Sequence, residues 1–154
     1  MFSPHWLARS HAARHWRAGA VFIIAALIGC NRDEATGPTV SGKYVATTFT
    51  VVPTFGGVPL PAIDILAAGG SLSVVIATDL TITGTMNIPG SITGGAPLIE
   101  SMAGTAEQTG NTIQFQQTAD TFVRKLTWQF GTDSITVVNQ PANNALLTIT
   151  LKRQ

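Results

Sequence analysis

Cysteine is almost missing from this chain: its 154 residues contain one, Cys30. No internal disulfide can form, even in an oxidising compartment, so a domain built from this sequence must be held by packing and backbone hydrogen bonds. Histidine occurs at three positions only, His5, His11 and His15. From residue 16 onward the chain can assemble neither a Ser-His nor a Cys-His nucleophilic pair, nor a zinc site from the usual His and Cys ligands. Charge is scarce, with Asp, Glu, Lys and Arg making up 11% of the residues. There is no Asp-x-Asp-x-Asp run for calcium, and Gly69-Gly70-Ser71 lacks the lysine of a phosphate-binding loop. No repeat of solenoid or propeller period is visible, and no apolar run reaches the roughly 20 residues of a membrane-spanning helix.

The longest apolar run, Ala18 to Ile28, is about half that length. Arg9, Arg14 and Arg17 precede it and a small residue, Gly29, follows it, which is the three-part layout of an export signal. Leu27-Ile28-Gly29-Cys30 resembles the lipobox of bacterial lipoproteins, whose cysteine sulfur receives a diacylglyceryl group. The resemblance implies that residues 1–29 are a lipoprotein signal peptide and that Cys30 is the lipidated first residue of the mature protein. It also implies that the partner of this end is a membrane of the bacterial cell envelope. Asn31 in place of Asp after the cysteine points to the outer membrane. An ordinary cleaved signal or a retained anchor is the alternative. One acyl chain holds only marginally and two or more hold stably. Residues 30–40 are polar and carry the Gly37-Pro38 break, as a flexible tether does.

Without residues 1–29 the chain keeps six basic against eight acidic residues. No basic patch remains for nucleic acid. The remaining length suits one domain with one core. Thr, Val, Ile and Gly dominate it, the profile of strands joined by tight turns.

Eight alternating runs follow one another: Ser41 to Val52, Ser71 to Thr78, Leu80 to Ile88, Glu100 to Gln108, Thr112 to Thr118, Asp120 to Phe130, Ser134 to Asn139 and Ala145 to Lys152. Gly, Pro, Asn and Asp separate them. Thr54 to Pro61 reads as a loop after a strand that Pro53 ends. Ile63 to Ala68 reads as a short helix stopped by Gly69-Gly70. The expected fold is all-β over residues 41–153: an eight-stranded antiparallel up-and-down barrel with a short helix after the first strand, closure removing the exposed edges. A β-sandwich is the alternative.

Gly42-Lys43-Tyr44 opening the first strand, the helical segment, the meander and Arg153 beyond the last strand together resemble the lipocalin-like family of bacterial lipoproteins. In lipocalins a Gly-x-Trp on the first strand packs across the closed end of the barrel against a late arginine; Tyr44 stands at the tryptophan position here. The resemblance implies a barrel that binds small apolar molecules.

The carboxylates Asp64, Asp79, Glu100, Glu107, Asp120 and Asp133 are the remaining means of catalysis, and several lie in turn-like sequence where Asp caps backbone. The sequence therefore reads as a protein that is not an enzyme and needs no cofactor or metal. Read at strand period, Asp120 to Phe130 puts Phe122, Leu126, Trp128 and Phe130 on one face with Arg124. Arg124 is then the candidate partner of a ligand carboxylate, with Phe122, Trp128, Phe130, Met86 and Phe115 lining the site; a structural ion pair or a bulge that turns Arg124 outward is the alternative. Two functions follow: a lipid-anchored module that holds a small hydrophobic or lipid-like ligand in its barrel, or an interaction lipoprotein whose barrel is filled by its own side chains. An apolar cavity of a few hundred cubic ångströms separates the two.

Overall fold

A computed structural model of the chain describes residues 39–119 and 121–154. The segment read as a signal peptide, Cys30 and most of the segment read as a tether lie outside the described residues, as does Asp120. Eleven strands form one antiparallel sheet: β1 (Gly42–Phe55), β2 (Val58–Pro59), β3 (Ile63–Asp64), β4 (Ser71–Ile76), β5 (Thr81–Ile88), β6 (Leu98–Ser101), β7 (Gly104–Thr109), β8 (Thr112–Gln117), β9 (Trp128–Phe130), β10 (Ser134–Ala142) and β11 (Ala145–Arg153). β6 and β7 both pair with β5, at its two ends, and act as one broken strand. With β2 and β3 appended to β1, the sheet runs in sequence order around eight staves and closes where β11 meets β1, from Tyr44 opposite Arg153 to Pro53 opposite Ala145. The fold is a closed eight-stranded up-and-down barrel, not a sandwich.

Period-two alternation places the core. Leu72, Val74 and Ile76 on β4, Ile82, Met86 and Ile88 on β5, Ile113 and Phe115 on β8, and Leu147, Ile149 and Leu151 on β11 all face inward and are buried. Sheet closure leaves no edge on these staves, which suits a chain without disulfides.

Three expectations need correction. Ile63 to Ala68 is not a helix: Ile63 and Asp64 pair with β1, and a single turn follows. The Asp64 carboxylate accepts from the amides of Leu66 (2.9 Å) and Ala67 (3.1 Å), and the turn ends where Gly69 adopts φ +92°, so no second turn is possible. The short helix is α1 (Gly90–Thr93), between β5 and β6. Pro53 does not end the first strand, because its ring sits beside a ladder position that needs no amide donor, and β1 runs on to Phe55. The segment read as a loop is a hairpin: Phe55 faces Val58 across Gly56-Gly57, at φ +58° and +82°, the two positive values of a two-residue type I′ turn.

The third correction concerns Asp120 to Phe130. Phe122–Lys125 is a 3₁₀ helix, and only Trp128–Phe130 is strand. The Thr121 hydroxyl accepts from the Val123 amide (3.3 Å) and donates to the Gln117 side chain (2.6 Å). Gln117 is buried, and its amide in turn donates to the Ser101 carbonyl. This polar link across two staves fixes a cap, and the buried pair Val123 and Leu126, three residues apart, seats one helical turn on the barrel mouth.

Candidate functional site

The strands bring four of the predicted site residues together inside the barrel. Met86, Phe115 and Trp128 are completely buried and Phe130 nearly so. The Phe115 and Trp128 rings meet edge to face at 5.2 Å, a favourable arrangement of their quadrupoles. With Tyr44, Phe49, Met102 and the aliphatic residues of the staves they form one buried core cluster. Phe122 sits at the mouth, half-buried, its ring 6.2 Å from that of Phe49. Arg124 is separated from this group. The 3₁₀ turn places it outward and exposed, so it does not share a face with Phe122, Trp128 and Phe130.

Another cation meets the aromatic residues. The Arg153 guanidinium lies over the rings of Tyr44 (5.4 Å) and Phe130 (5.9 Å), within the range of cation–π attraction. It donates to the Tyr44 hydroxyl through Nη2 (2.8 Å) and Nε (3.2 Å), and to the Thr39 carbonyl. The Tyr44 hydroxyl in turn donates to the Val40 carbonyl (2.8 Å). Gly42 has φ +152°, and a Cβ there would stand 3.3 Å from Arg153 Nε. Gly42, Tyr44 and Arg153, the residues that carried the resemblance to lipocalins, thus form a latch that plugs one end of the barrel with the first described residues. Replacing Arg153 with Met should lower stability by about 1–2 kcal/mol, since a charged hydrogen bond and a stacked cation are lost while Tyr44 keeps its bond to Val40; a denaturant titration checks this. Arg153→Lys should recover little, lacking the fork that reaches Tyr44 and Thr39 together.

A depression of about 510 Å³ lies at the same end, lined by Thr39, Val40, Thr78, Leu80, Asn111 and Phe130 among others. Of the predicted site residues only Phe130 borders it. Two buried polar atoms, Trp128 Nε1 and Asn87 Oδ1, have no hydrogen-bond partner, and an alternation argument could not have exposed either.

Among the described residues Asp64, Asp79 and Asp133 lie at turns, and Glu100 and Glu107 lie on β6 and β7. Asp64 caps its own turn, Asp133 pairs with Lys152 at 3.3 Å in the open, and Asp79 accepts from the hydroxyl (2.7 Å) and amide (3.0 Å) of Thr81. Those bonds, the hydroxyl first, hold the Asp79 carboxyl below the usual carboxylate range and pin Leu80 at φ +65°. A lowered folded pKa means that the stabilisation is present at neutral pH and fades as pH falls through that pKa. An NMR titration should find Asp79 protonating below the ordinary value of an aspartate. Among the described residues no three His, Cys, Asp or Glu side chains gather in a metal-holding group.

Comparison with protein-family models, with curated proteins and with solved structures finds no match to this chain.

Proposed function

We propose that this chain is a lipid-anchored, lipocalin-like barrel of the bacterial cell envelope that works through its outer surfaces, its lumen being filled by its own side chains. The observation that carries this reading is the burial of the predicted lining: Met86, Phe115 and Trp128 have no exposed surface within the core cluster, and the Phe115 and Trp128 rings pack on each other. The anchor is argued from Leu27-Ile28-Gly29-Cys30 and the polar segment behind it, with Asn31 favouring the outer membrane.

Radiolabelled palmitate should enter the wild-type protein and not Cys30→Ser. Fatty acids and neutral hydrophobic probes should leave the melting temperature of the protein unchanged, whereas a ligand at a hundred times its Kd would add about 2.7 kcal/mol. A saturable rise overturns the filled-barrel reading.

One observation favours the second reading, a small hydrophobic ligand in the lumen. The indole N–H of Trp128 is buried without a partner, and a ligand with a polar group could meet that need.

A further inference from the structure

We propose that the β1–β2 hairpin, with Phe55, Val58 and Leu60 at its tip and Lys125 at its base, enters the interfacial layer of a bilayer that carries anionic headgroups. The hairpin projects from the barrel end opposite the latch. Phe55 is 80% exposed, Val58 64% and Leu60 46%, and no residue from Tyr44 to Ile63 is charged. Exposed apolar side chains concentrated on one projecting tip need an apolar environment.

The kind of environment follows from size and backbone chemistry. The three side chains offer on the order of 300 Å², taking an aromatic residue as roughly 200 Å², against about 800 Å² per partner in a standard protein interface. That is too little for a stable dimer or complex, but partition into lipid has no such threshold and grows with each apolar group buried. Backbone polar groups are the usual obstacle to entering lipid. Here Thr54 pairs with Pro59 and Phe55 with Val58, the Leu60 amide donates to the Pro53 carbonyl (2.8 Å), and Pro59 and Pro61 have no amide hydrogen to satisfy.

Charge at the base complements an anionic surface. The Thr54 amide and hydroxyl donate to the Asn144 carbonyl (2.8 and 2.9 Å), and Lys125 Nζ donates to Asn143 Oδ1 (3.3 Å). The β10–β11 turn therefore ties the exposed Lys125 to the root of the hairpin. Leu98 and Ile99, exposed at the start of β6, extend the apolar rim at the same end.

The test removes the lipid anchor so that the hairpin alone is read. Every described core residue lies between Val40 and Leu151, and Thr36–Gln154 is one compact unit, so protein beginning at Thr36 holds the whole barrel. It should co-sediment with vesicles of phosphatidylcholine and phosphatidylglycerol, at least tenfold better than the Phe55→Ser/Val58→Ser variant, with matching circular dichroism and melting curves. Lys125→Gln should weaken that binding about fivefold, the equivalent of about 1 kcal/mol per basic residue near an anionic surface, and leave binding to pure phosphatidylcholine unaltered. Phe55→Trp should keep binding and shift its emission to the blue on the mixed vesicles. Equal sedimentation of parent and double variant overturns the proposal, as does binding to pure phosphatidylcholine that equals binding to the mixture. Self-association that the double variant abolishes, with no vesicle binding, makes a second copy the occupant and overturns it as well. These outcomes are independent of acylation at Cys30, which the palmitate label reads.

Discussion

Trp128→Ala is expected to cost about 3–5 kcal/mol, the range for removing a large aromatic side chain from a core, and to lower the melting temperature by on the order of 10–20 °C for a domain of this size. Trp128 is completely buried and packs edge to face on Phe115, and the neighbouring staves are tied by backbone ladders that cannot collapse into the vacated volume. The cavity would therefore persist. Trp128→Phe should behave quite differently. It removes the indole N–H that lacks a partner, and a buried unsatisfied donor carries about 1–3 kcal/mol of desolvation cost. That relief offsets much of the lost packing, so a change within about 1 kcal/mol is expected. Denaturant unfolding of both variants decides the point. A loss in Trp128→Phe close to that of the alanine variant would mean that the indole N–H is satisfied by a bound molecule in the native protein, and would move the functional reading back towards a carrier.

Gly84→Ala is expected to be more damaging, because the obstacle is backbone. Gly84 faces Val74 across the β4–β5 ladder at φ +140°, and a Cβ there would fall 2.1 Å from the Ser73 carbonyl oxygen and 3.0 Å from Val74 Cα. No rotamer change relieves such a contact; the two staves must separate, and the bond from the Met102 amide to the Gly84 carbonyl (3.0 Å) goes with them. Losses above about 4–5 kcal/mol are exceptional and approach the whole stability of an ordinary domain, so the variant should be largely unfolded or insoluble. Gly95→Ala is the matched control, since nothing lies within 4 Å of its Cβ position, and it should change stability by less than about 0.5 kcal/mol. Comparable soluble yields and melting curves for the two variants would overturn this account.

The barrel was legible where one physical signal acted alone. β4, β5, β8 and β11 alternate apolar and polar residues along most of their length, and Asn143-Asn144 and Gly110-Asn111 supply the backbone freedom that their reversals use. Reading failed where a local polar contact overrode the alternation. At Thr121 a side-chain cap anchored by Gln117, remote in neither sequence nor space, converts what scans as period two into a helical turn, and Arg124 swings out as a result. At Asp64 a carboxylate closes one turn and stops. The break between β6 and β7 depends on the unusual conformation of Gly84 on the neighbouring stave, which no scan of residues 100–108 contains. Whether an aromatic stripe lines a cavity or fills it depends on the summed volumes of residues from all staves. Phe115, Trp128 and Met86 could be assigned to the interior from sequence, but the packing of the Phe115 ring on Trp128 could not. The latch is the opposite case: Tyr44 and Arg153, 109 positions apart, meet as the resemblance led one to expect.

The seam between β1 and β11 has a kinetic meaning. Its pairs join residues about a hundred positions apart, from Pro53 with Ala145 to Tyr44 with Arg153, so closing it carries a large loop entropy and ranks this chain with slow, high-contact-order folders. During synthesis β1 emerges about a hundred residues ahead of its partner. Until residues 145–153 arrive, fourteen residues of uncharged or apolar strand, broken only by Lys43, wait with one flank unpaired, an open template for strands of other molecules. Slowing the release of the last strand, or truncating before Ala145, should therefore show itself first as aggregation and a demand for holding chaperones.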